Sequence, residues 1–254
     1  MEWMLWIVVW MCGASVGSFI NVVVYRLPRQ WQHPEERMSL WRPASHCPKC
    51  KQALRWRDLL PVISWLLLQG RCRNCHAAIS ARYPVIEFFS ASVSLILVLS
   101  FPADGLFVIT LLLFWALLTL SLIDIDHYLL PDVITLPLLW FGLLLKAVRW
   151  LSGSLNDAVF GAIIGYSALW VISHLYQCLS GKLALGMGDA KLVAALGAWL
   201  GWALLPSVLL LACSGAICAL FFAKICWQRD LSQPLAFGPW IALAGISLFI
   251  NTII

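Results

Sequence analysis

Apolar residues in this chain are gathered into long runs separated by short polar segments. The runs occupy residues 3–24, 84–101, 106–123, 132–150, 156–179, 190–204, 207–226 and 236–253. Most approach the roughly 20 residues that an α-helix needs to cross about 30 Å of hydrocarbon. The pattern therefore predicts an all-α polytopic membrane protein with about eight transmembrane helices. The boundary around Gly201 to Pro206 is the least distinct, because residues 199–222 also read as one long span.

The composition supports a bilayer as the solvent of most of the chain. Of the 254 residues, 62% are hydrophobic and 11% are charged, whereas soluble domains carry about 25% charged residues. The first run has no basic residue ahead of it and no small-residue cleavage site behind it. We therefore interpret it as a retained span rather than a secretory signal.

The basic residues predict the orientation, because Lys and Arg near span ends stay on the cytoplasmic side. The segment from Arg26 to Arg82 holds 11 of the 17 basic residues and should be cytoplasmic. Eight spans then put both termini outside and three further loops on the cytoplasmic side: 124–131, 180–190 and 227–235. These loops add Lys182 and Arg229, and Lys191 and Lys224 lie just inside the adjoining span ends. Fifteen of the 17 basic residues thus agree with this topology, and only Lys146 and Arg149 do not. The net charge of +5 thus reflects topology, and a nucleic-acid partner is not implied.

One polar insertion, residues 25–83, differs from the rest of the chain. It is basic, contains four cysteines and is rich in Pro and Trp. A segment of this size with few aliphatic residues commonly needs a metal or disulfides to fold. We expect three parts: a first transmembrane helix (1–24), a small cytoplasmic four-cysteine domain (25–83) and a larger transmembrane domain (84–254).

The four cysteines form a paired CxxC pattern. Cys47 and Cys50 are followed, after 21 residues, by Cys72 and Cys75. Two such knuckles can supply the closed tetrahedral shell of four thiolates that a structural zinc prefers. A cytoplasmic location makes disulfides or free redox thiols the weaker alternatives, and four thiolates leave no open position for catalysis. The remaining cysteines sit singly in apolar runs and are expected to be small buried hydrophobes: Cys12, Cys178, Cys213, Cys218 and Cys226.

Acidic residues lie at the ends of two spans on the same predicted face. Asp124 and Asp126 end the third span, and Asp189 begins the sixth. Two carboxyls that share a proton can act as general base and general acid, so a pair drawn from these groups could hydrolyse a peptide bond. Asp124 and Asp126 differ by about 200° around a helix, so only one of them can face a common partner, and spacing does not choose between them. The structural alternative for Asp189 is a helix N-cap.

Glycines and one further acid complete the set of candidates. Gly186 and Gly188 would let an extended substrate pass close to Asp189, because they lack a Cβ. Glu87, early in the second span, is either a packing contact or a substrate contact. Three pairs have the spacing that lets helices approach closely and are expected to be packing faces: Gly13 with Gly17, Gly161 with Gly165, and Gly197 with Gly201.

Several motifs occur in an order that resembles the type IV prepilin peptidase family. They are Gly17-Ser18-Phe19-Ile20-Asn21-Val22 through Arg26-Leu27-Pro28, the paired CxxC loop, Asp124 through Pro131-Asp132, Gly186-x-Gly188-Asp189, and Phe237-Gly238-Pro239. The resemblance covers nearly the whole chain. It implies that Asp124 and Asp189 are the catalytic pair of an intramembrane aspartic endopeptidase.

The resemblance also implies the reaction and its setting. Prepilins or type II secretion pseudopilins would lose a short basic leader after a Gly, and S-adenosylmethionine would methylate the new N-terminal amine. The expected location is the bacterial inner membrane, with the cysteine loop and active site facing the cytoplasm. The cofactor-binding site is unknown; Asn21, Arg26 and Gly70 are candidates whose alternative roles are span-end polarity, topology and a turn.

The rival from another functional class is a proton or cation carrier that uses the aspartates as a relay. It gives no reason for the glycines before Asp189, and a carrier site would tend to lie near the midplane between repeated halves.

Overall fold

The structure is a computed structural model that describes residues 2–32, 35, 38–101, 105–181, 186–227 and 235–253. It divides into two compact units, Met1–Leu111 and Leu112–Ile254. Regular structure in the described residues is helical, with two isolated β-bridges and no strand. The predicted loops 180–190 and 227–235 are covered in part, because residues 182–185 and 228–234, with Lys182 and Arg229, lie outside the described residues.

The first unit contains two long apolar helices and the cysteine-bearing insertion between them. Its helices are α1 (Glu2–Gln32), the short α2 (Ile63–Leu67) and α3 (Arg82–Ser100), with a 3-10 helix at Trp56–Leu59. Helix α1 continues past the predicted span end at Val24 and contains Pro28. The apolar run marks where hydrocarbon could end, but the backbone hydrogen bonds of a helix can continue beyond it.

Small residues bring α1 and α3 into close contact. A Cβ placed on Gly13 would lie 2.9 Å from the Cα of Ala91, and one on Gly17 would lie 2.9 Å from the Cα of Glu87. The Ser90 hydroxyl donates a 2.9 Å hydrogen bond to the Gly13 carbonyl oxygen. The predicted packing role of this glycine pair is confirmed.

The second unit is built around a short buried helix. Helix α4 (Leu106–His127) begins in the first unit and continues into the second. It is followed by α5 (Asp132–Ala147), α6 (Leu155–Ser180), α7 (Met187–Leu200), a 3-10 helix at Trp202–Leu204, α8 (Leu205–Trp227) and α9 (Gly238–Ile253). Helix α7 packs against α5, α6 and α9 and is buried from Leu192 to Trp199.

Glycines again set the closest approaches around α7. A Cβ on Gly161 of α6 would collide with the Gly197 carbonyl of α7, and one on Gly165 would lie 3.0 Å from the Val193 carbonyl oxygen. On the other side, the Trp199 indole N–H donates a 2.9 Å hydrogen bond to the Leu138 carbonyl oxygen of α5. These contacts confirm the packing role of Gly161, Gly165 and Gly197.

Gly201 separates α7 from α8. Its φ of 84° lies in the region that favours glycine, and the chain then forms the 3-10 turn before α8. The run 199–222 is therefore two helices rather than one.

The all-α polytopic membrane fold is confirmed. Within the part of the chain that the structure describes, five helices have the length and composition to cross a membrane: Trp3–Gln32, Arg82–Ser100, Leu106–His127, Leu155–Ser180 and Trp202–Cys226. Helix α9 is apolar but shorter, and α5 and α7 have 16 and 14 residues. Each predicted run coincides with a helix, while the count of eight spans stays a prediction.

The outward faces of these helices carry large apolar side chains, as expected against lipid. Leu210 and Phe221 of α8, for example, are 72% and 66% exposed. The same environment explains a wrong prediction: Cys12, Cys178, Cys213, Cys218 and Cys226 are exposed rather than buried. Cysteine is a small hydrophobe, so lipid accommodates it as readily as a core does.

Candidate active site and metal centre

Asp124 lies on the buried face of α4. Leu113, Leu117 and Leu120 precede it at helical spacing and are at most 2% exposed, and Asp124 itself is 6% exposed. Asp126 points to the other side and is exposed. The helical phase thus separates the two acids that spacing alone left equivalent.

The first turn of α9 meets Asp124. The Gly238 N–H donates a 2.8 Å hydrogen bond to Asp124 Oδ2, and a Cβ on Gly238 would lie only 2.7 Å from that oxygen. N–H groups in the first turn of a helix have no intrahelical partner and favour a nearby negative charge. Pro239 adds no N–H that needs a partner. The Phe237-Gly238-Pro239 motif therefore supplies a close donor to a buried carboxylate.

Asp189 lies in the first turn of α7 and is 9% exposed. The N-cap of that helix is Gly186, with φ −67° and ψ 137°, and its carbonyl oxygen accepts a 3.1 Å hydrogen bond from the Asp189 N–H. The alternative of Asp189 as N-cap is therefore wrong. Asp189 and Asp124 are close enough to interact electrostatically, so the second unit brings two buried carboxyls together.

The two glycines before Asp189 have different surroundings. A Cβ on Gly186 would sit 3.5 Å from Asp189 Oδ2, in ordinary contact, so a larger side chain there would begin to cover the carboxylate. A Cβ on Gly188 would lie 2.9 Å from the Cβ of Leu130. Gly188 therefore serves the packing of the segment that follows α4, whereas Gly186 makes no such close contact with the described residues.

A salt bridge holds the starts of α5 and α7 together. Both carboxylate oxygens of Asp132 lie 2.7 Å from Lys191 Nζ. The sequence did not indicate this pair. Residues 59 positions apart in sequence carry no local signal of this contact, and the same holds for Gly238 and Asp124.

The four cysteine sulfurs of the insertion converge on one point. All four Sγ atoms lie within 4.8 Å of one another, with Cys47 to Cys75 at 3.7 Å and Cys50 to Cys72 at 4.0 Å. Tetrahedral zinc with Zn–S bonds of about 2.3 Å requires sulfurs about 3.8 Å apart. None of these cysteines is in a disulfide. The cluster could hold a metal ion, and its donor set fits zinc.

The two CxxC motifs form matching knuckles. Cys47 N–H donates to the Gln52 carbonyl and Cys72 N–H to the Ala77 carbonyl, at 3.0 and 2.9 Å. In each knuckle the residue after the second cysteine has a positive φ, 58° at Lys51 and 55° at His76. Burial and the neighbouring cysteine side chains raise the pKa of Cys50 to about 11. At Cys47 the tight turn aims backbone N–H groups at sulfur, and hydrogen bonds from the Cys50 and Lys49 backbone lower the pKa to about 6. Such bonds stabilise a thiolate, which is the form that binds metal.

An ion pair connects the second knuckle to the 3-10 helix of the insertion. Arg73 Nε and Nη2 lie 2.9 and 2.8 Å from Asp58 Oδ1. The hydrogen bond from Arg73 lowers the pKa of Asp58. The pair therefore joins the second knuckle of the cysteine cluster to the 3-10 helix at Trp56–Leu59.

A cavity of about 540 Å³ lies in the first unit and is lined by residues of α1, the insertion and α3. Asn21 and Arg26, two of the candidates for cofactor binding, line it. The Asn21 amide also donates to the Tyr83 carbonyl at 3.3 Å. Gly70 does not line the cavity; it has a φ of 68°, and its Cβ would lie 2.8 Å from the Trp65 ring, which fits its alternative role as a turn.

Comparison with known proteins agrees with the resemblance seen in the motifs. The family model described as the bacterial peptidase A24 N-terminal domain matches residues 11–101, and that of the type IV leader peptidase family matches residues 111–223. A curated protein of Pectobacterium carotovorum subsp. carotovorum is 44% identical, over 92% of this chain and 88% of its own. One from Aeromonas salmonicida is 43% identical over 96% and 90%, and one from Pseudomonas aeruginosa is 42% identical over 92% and 86%. All three are called prepilin leader peptidase/N-methyltransferase. No solved structure matches the chain.

Proposed function

Since the chain belongs to the type IV leader peptidase family, we propose that it cleaves the leaders of prepilins or type II secretion pseudopilins after glycine. We further propose that it N-methylates the new N-terminal residue with S-adenosylmethionine. The observation that carries the proteolytic part is the pair of buried carboxyls, Asp124 and Asp189, beside the Gly238 N–H. The relatives' names support both activities and give no support to the carrier alternative.

The proposed mechanism uses the pair as base and acid. Two neighbouring carboxyls in a buried site do not both ionise readily, so one holds a proton while the other is charged. The ionised carboxylate takes a proton from water, whose oxygen attacks the scissile carbonyl carbon. The protonated carboxyl gives its proton to the amide nitrogen, and the C–N bond breaks. The Gly238 N–H keeps Asp124 in place while its charge changes.

The proposed location is the bacterial inner membrane, with the cysteine loop and the Asp pair facing the cytoplasm. The support is the distribution of basic residues, 15 of 17 of which fit this orientation. In that arrangement the basic leader of a substrate stays in the cytoplasm while its apolar helix enters the membrane. The proposed division assigns 1–24 to a first span, 25–83 to the cytoplasmic cysteine domain and 84–254 to the peptidase domain.

The proposed metal is a structural zinc held by the cysteine cluster. Four thiolates form a closed shell, so the ion would stabilise the insertion and take no part in cleavage. The spacing of the sulfurs and the two matching knuckles support this assignment.

The test uses full-length protein in membranes with a prepilin and S-adenosylmethionine, and product masses as the readout. Asp124→Asn and Asp189→Asn should each reduce leader removal by about 10² to 10⁴-fold, the usual contribution of an acid or base. Asp126→Asn is the matched control, two residues away on the exposed side of the same helix, and should cleave normally. Normal cleavage by either dyad variant, with thermal unfolding unchanged, would show that the pair is structural. A mass gain of one methyl on the cleaved product tests the second activity.

A further inference from the structure

Glu87 is a buried carboxylate for which proteolysis gives no role. It lies in α3, is 8% exposed and lines the 540 Å³ cavity of the first unit. Resting on the proposed methyl transfer, we propose that this cavity binds S-adenosylmethionine together with the new N-terminal amine, and that Glu87 accepts the proton that the amine must lose.

The surroundings of Glu87 hold its carboxylate in a fixed position. The Val62 N–H donates a 2.8 Å hydrogen bond to Glu87 Oε2, and the Ser18 hydroxyl is a second partner. The Cα of Glu87 is pressed against α1 at Gly17, where a Cβ would come within 2.9 Å. A carboxylate can accept about four hydrogen bonds, so two donors from the protein leave capacity for an amine.

The amide that reaches Glu87 comes from a strained turn. Val62 has φ 60° and ψ −51°, and the Ile63 N–H donates to the Pro61 carbonyl at 2.5 Å. This is a γ-turn with a positive φ at its centre, which is a rare conformation and is unfavourable for a β-branched residue. Strained backbone concentrates at functional sites. Here the turn directs one N–H at a buried carboxylate and leads into α2.

The cavity offers groups for both charges of S-adenosylmethionine, which carries a carboxylate as well as a sulfonium. Its lining contains Glu87, the Asp58–Arg73 pair and four further basic residues: Arg26, Lys49, Lys51 and Arg55. Its volume lies within the range of about 300 to 1,000 Å³ that is common for small-molecule sites. Trp65 and Tyr83 also contribute to its lining, and so does Tyr25, whose ring has the Arg29 guanidinium 3.7 Å from its centroid. A sulfonium is attracted both to a carboxylate and to the faces of aromatic rings, and the Asn21 amide can serve the polar parts of the ligand.

The proposed step balances without a further reactant. An N-terminal amine has a pKa of about 8 and is mostly an ammonium at neutral pH, so it first gives one proton to the Glu87 carboxylate. The freed lone pair attacks the methyl carbon, the N–C bond forms, and the C–S bond breaks with both electrons going to sulfur. The products are a secondary ammonium and neutral S-adenosylhomocysteine, and Glu87 returns its proton to water.

Glu87→Gln tests the role of the charge, because it preserves the shape and an acceptor for the Val62 N–H. Leader cleavage should stay within about twofold of wild type, while methylation at pH 7 should fall about 100-fold or more. Methylation by the variant should recover as the pH rises past about 8, where the amine deprotonates unaided. In calorimetry on the full chain, the variant should bind S-adenosylmethionine more weakly than wild type but bind the uncharged S-adenosylhomocysteine equally well.

Two further variants keep the test decisive. Asp157→Asn removes a carboxylate from the second unit and should change none of these readouts. Ala53→Trp adds a bulky side chain at an exposed position that lines the cavity. It should abolish binding of both S-adenosylmethionine and S-adenosylhomocysteine while cleavage continues. This variant also tests the assignment of the cavity if Glu87→Gln does not fold.

The outcomes separate the inference from the proposed function. Wild-type protein that cleaves but never adds a methyl group would overturn the proposed methyl transfer. If Glu87→Gln and Ala53→Trp both methylate at the wild-type rate, only the assignment of this cavity is overturned. An equal loss of cleavage and methylation in Glu87→Gln would show that Glu87 is structural.

Discussion

Substituting Gly238 by Ala tests the geometry of the candidate active site without touching either carboxyl. The added Cβ would lie 2.7 Å from Asp124 Oδ2, whereas carbon and oxygen normally approach to about 3.3 Å. The carboxylate or the start of α9 must therefore shift by about 0.6 Å, which weakens the hydrogen bond from the Gly238 N–H. Hydrogen bonds to charged groups contribute about 1.5–3 kcal/mol to stability, and small misplacements of reacting groups can reduce rates about 100-fold.

We expect Gly238→Ala to cleave prepilin about 100-fold more slowly in single-turnover assays and to lose about 1–3 kcal/mol in the free energy of unfolding. Gly245→Ala is the matched control, because it lies two turns further along α9 and its Cβ would come within 2.6 Å of Leu196 Cδ1. Overpacking of this kind costs about 1–3 kcal/mol, but the clash is far from a carboxylate. If Gly238→Ala cleaves at the wild-type rate, or if Gly245→Ala loses as much of its cleavage rate, the proposed role of the contact between Gly238 and Asp124 is refuted.

Two other predictions concern the metal and the packing of the helices. Purified protein should contain about one zinc per chain by elemental analysis under reducing conditions, and Cys47→Ser should reduce that content and expose the insertion to protease; a metal-free wild type would contradict the assignment. Gly161→Ala should lower the thermal unfolding midpoint, since overpacking costs about 1–3 kcal/mol and its Cβ would meet the Gly197 carbonyl of α7, whereas Ala162→Ser on the same helix should leave the midpoint nearly unchanged. Equal midpoints for Gly161→Ala and wild type would show that α6 and α7 are not in close contact.

The sequence identified the acidic residues that are candidates for catalysis, but it did not show which of them face each other in the folded chain. Acids at span ends are unusual enough to stand out, and the family resemblance preferred Asp124 over Asp126. Helix α4, however, is apolar on all sides, so no hydrophobic pattern shows which face is buried. Only the packing of α4 places Asp124 inside and Asp126 outside.

The cysteine cluster, in contrast, could be predicted almost entirely from the sequence. The spacing of the two CxxC motifs already predicted four convergent sulfurs, because the knuckle is a local turn. The structure adds the positive φ values at Lys51 and His76 and the ion pair of Asp58 with Arg73. A site made from short-range geometry is readable from the sequence, apart from the long-range contact that fixes its orientation.

The sequence by itself determined the helical membrane fold, the apolar runs and the cysteine centre, since hydropathy and short spacings are local properties of the chain. Tertiary structure decided that α7 is buried among other helices, that Gly238 donates to Asp124 across 114 positions, and that Glu87 borders a cavity under a strained turn. In a chain whose helices are apolar on nearly every face, burial by protein and burial by lipid have the same sequence signature. Only the contacts between helices distinguish them.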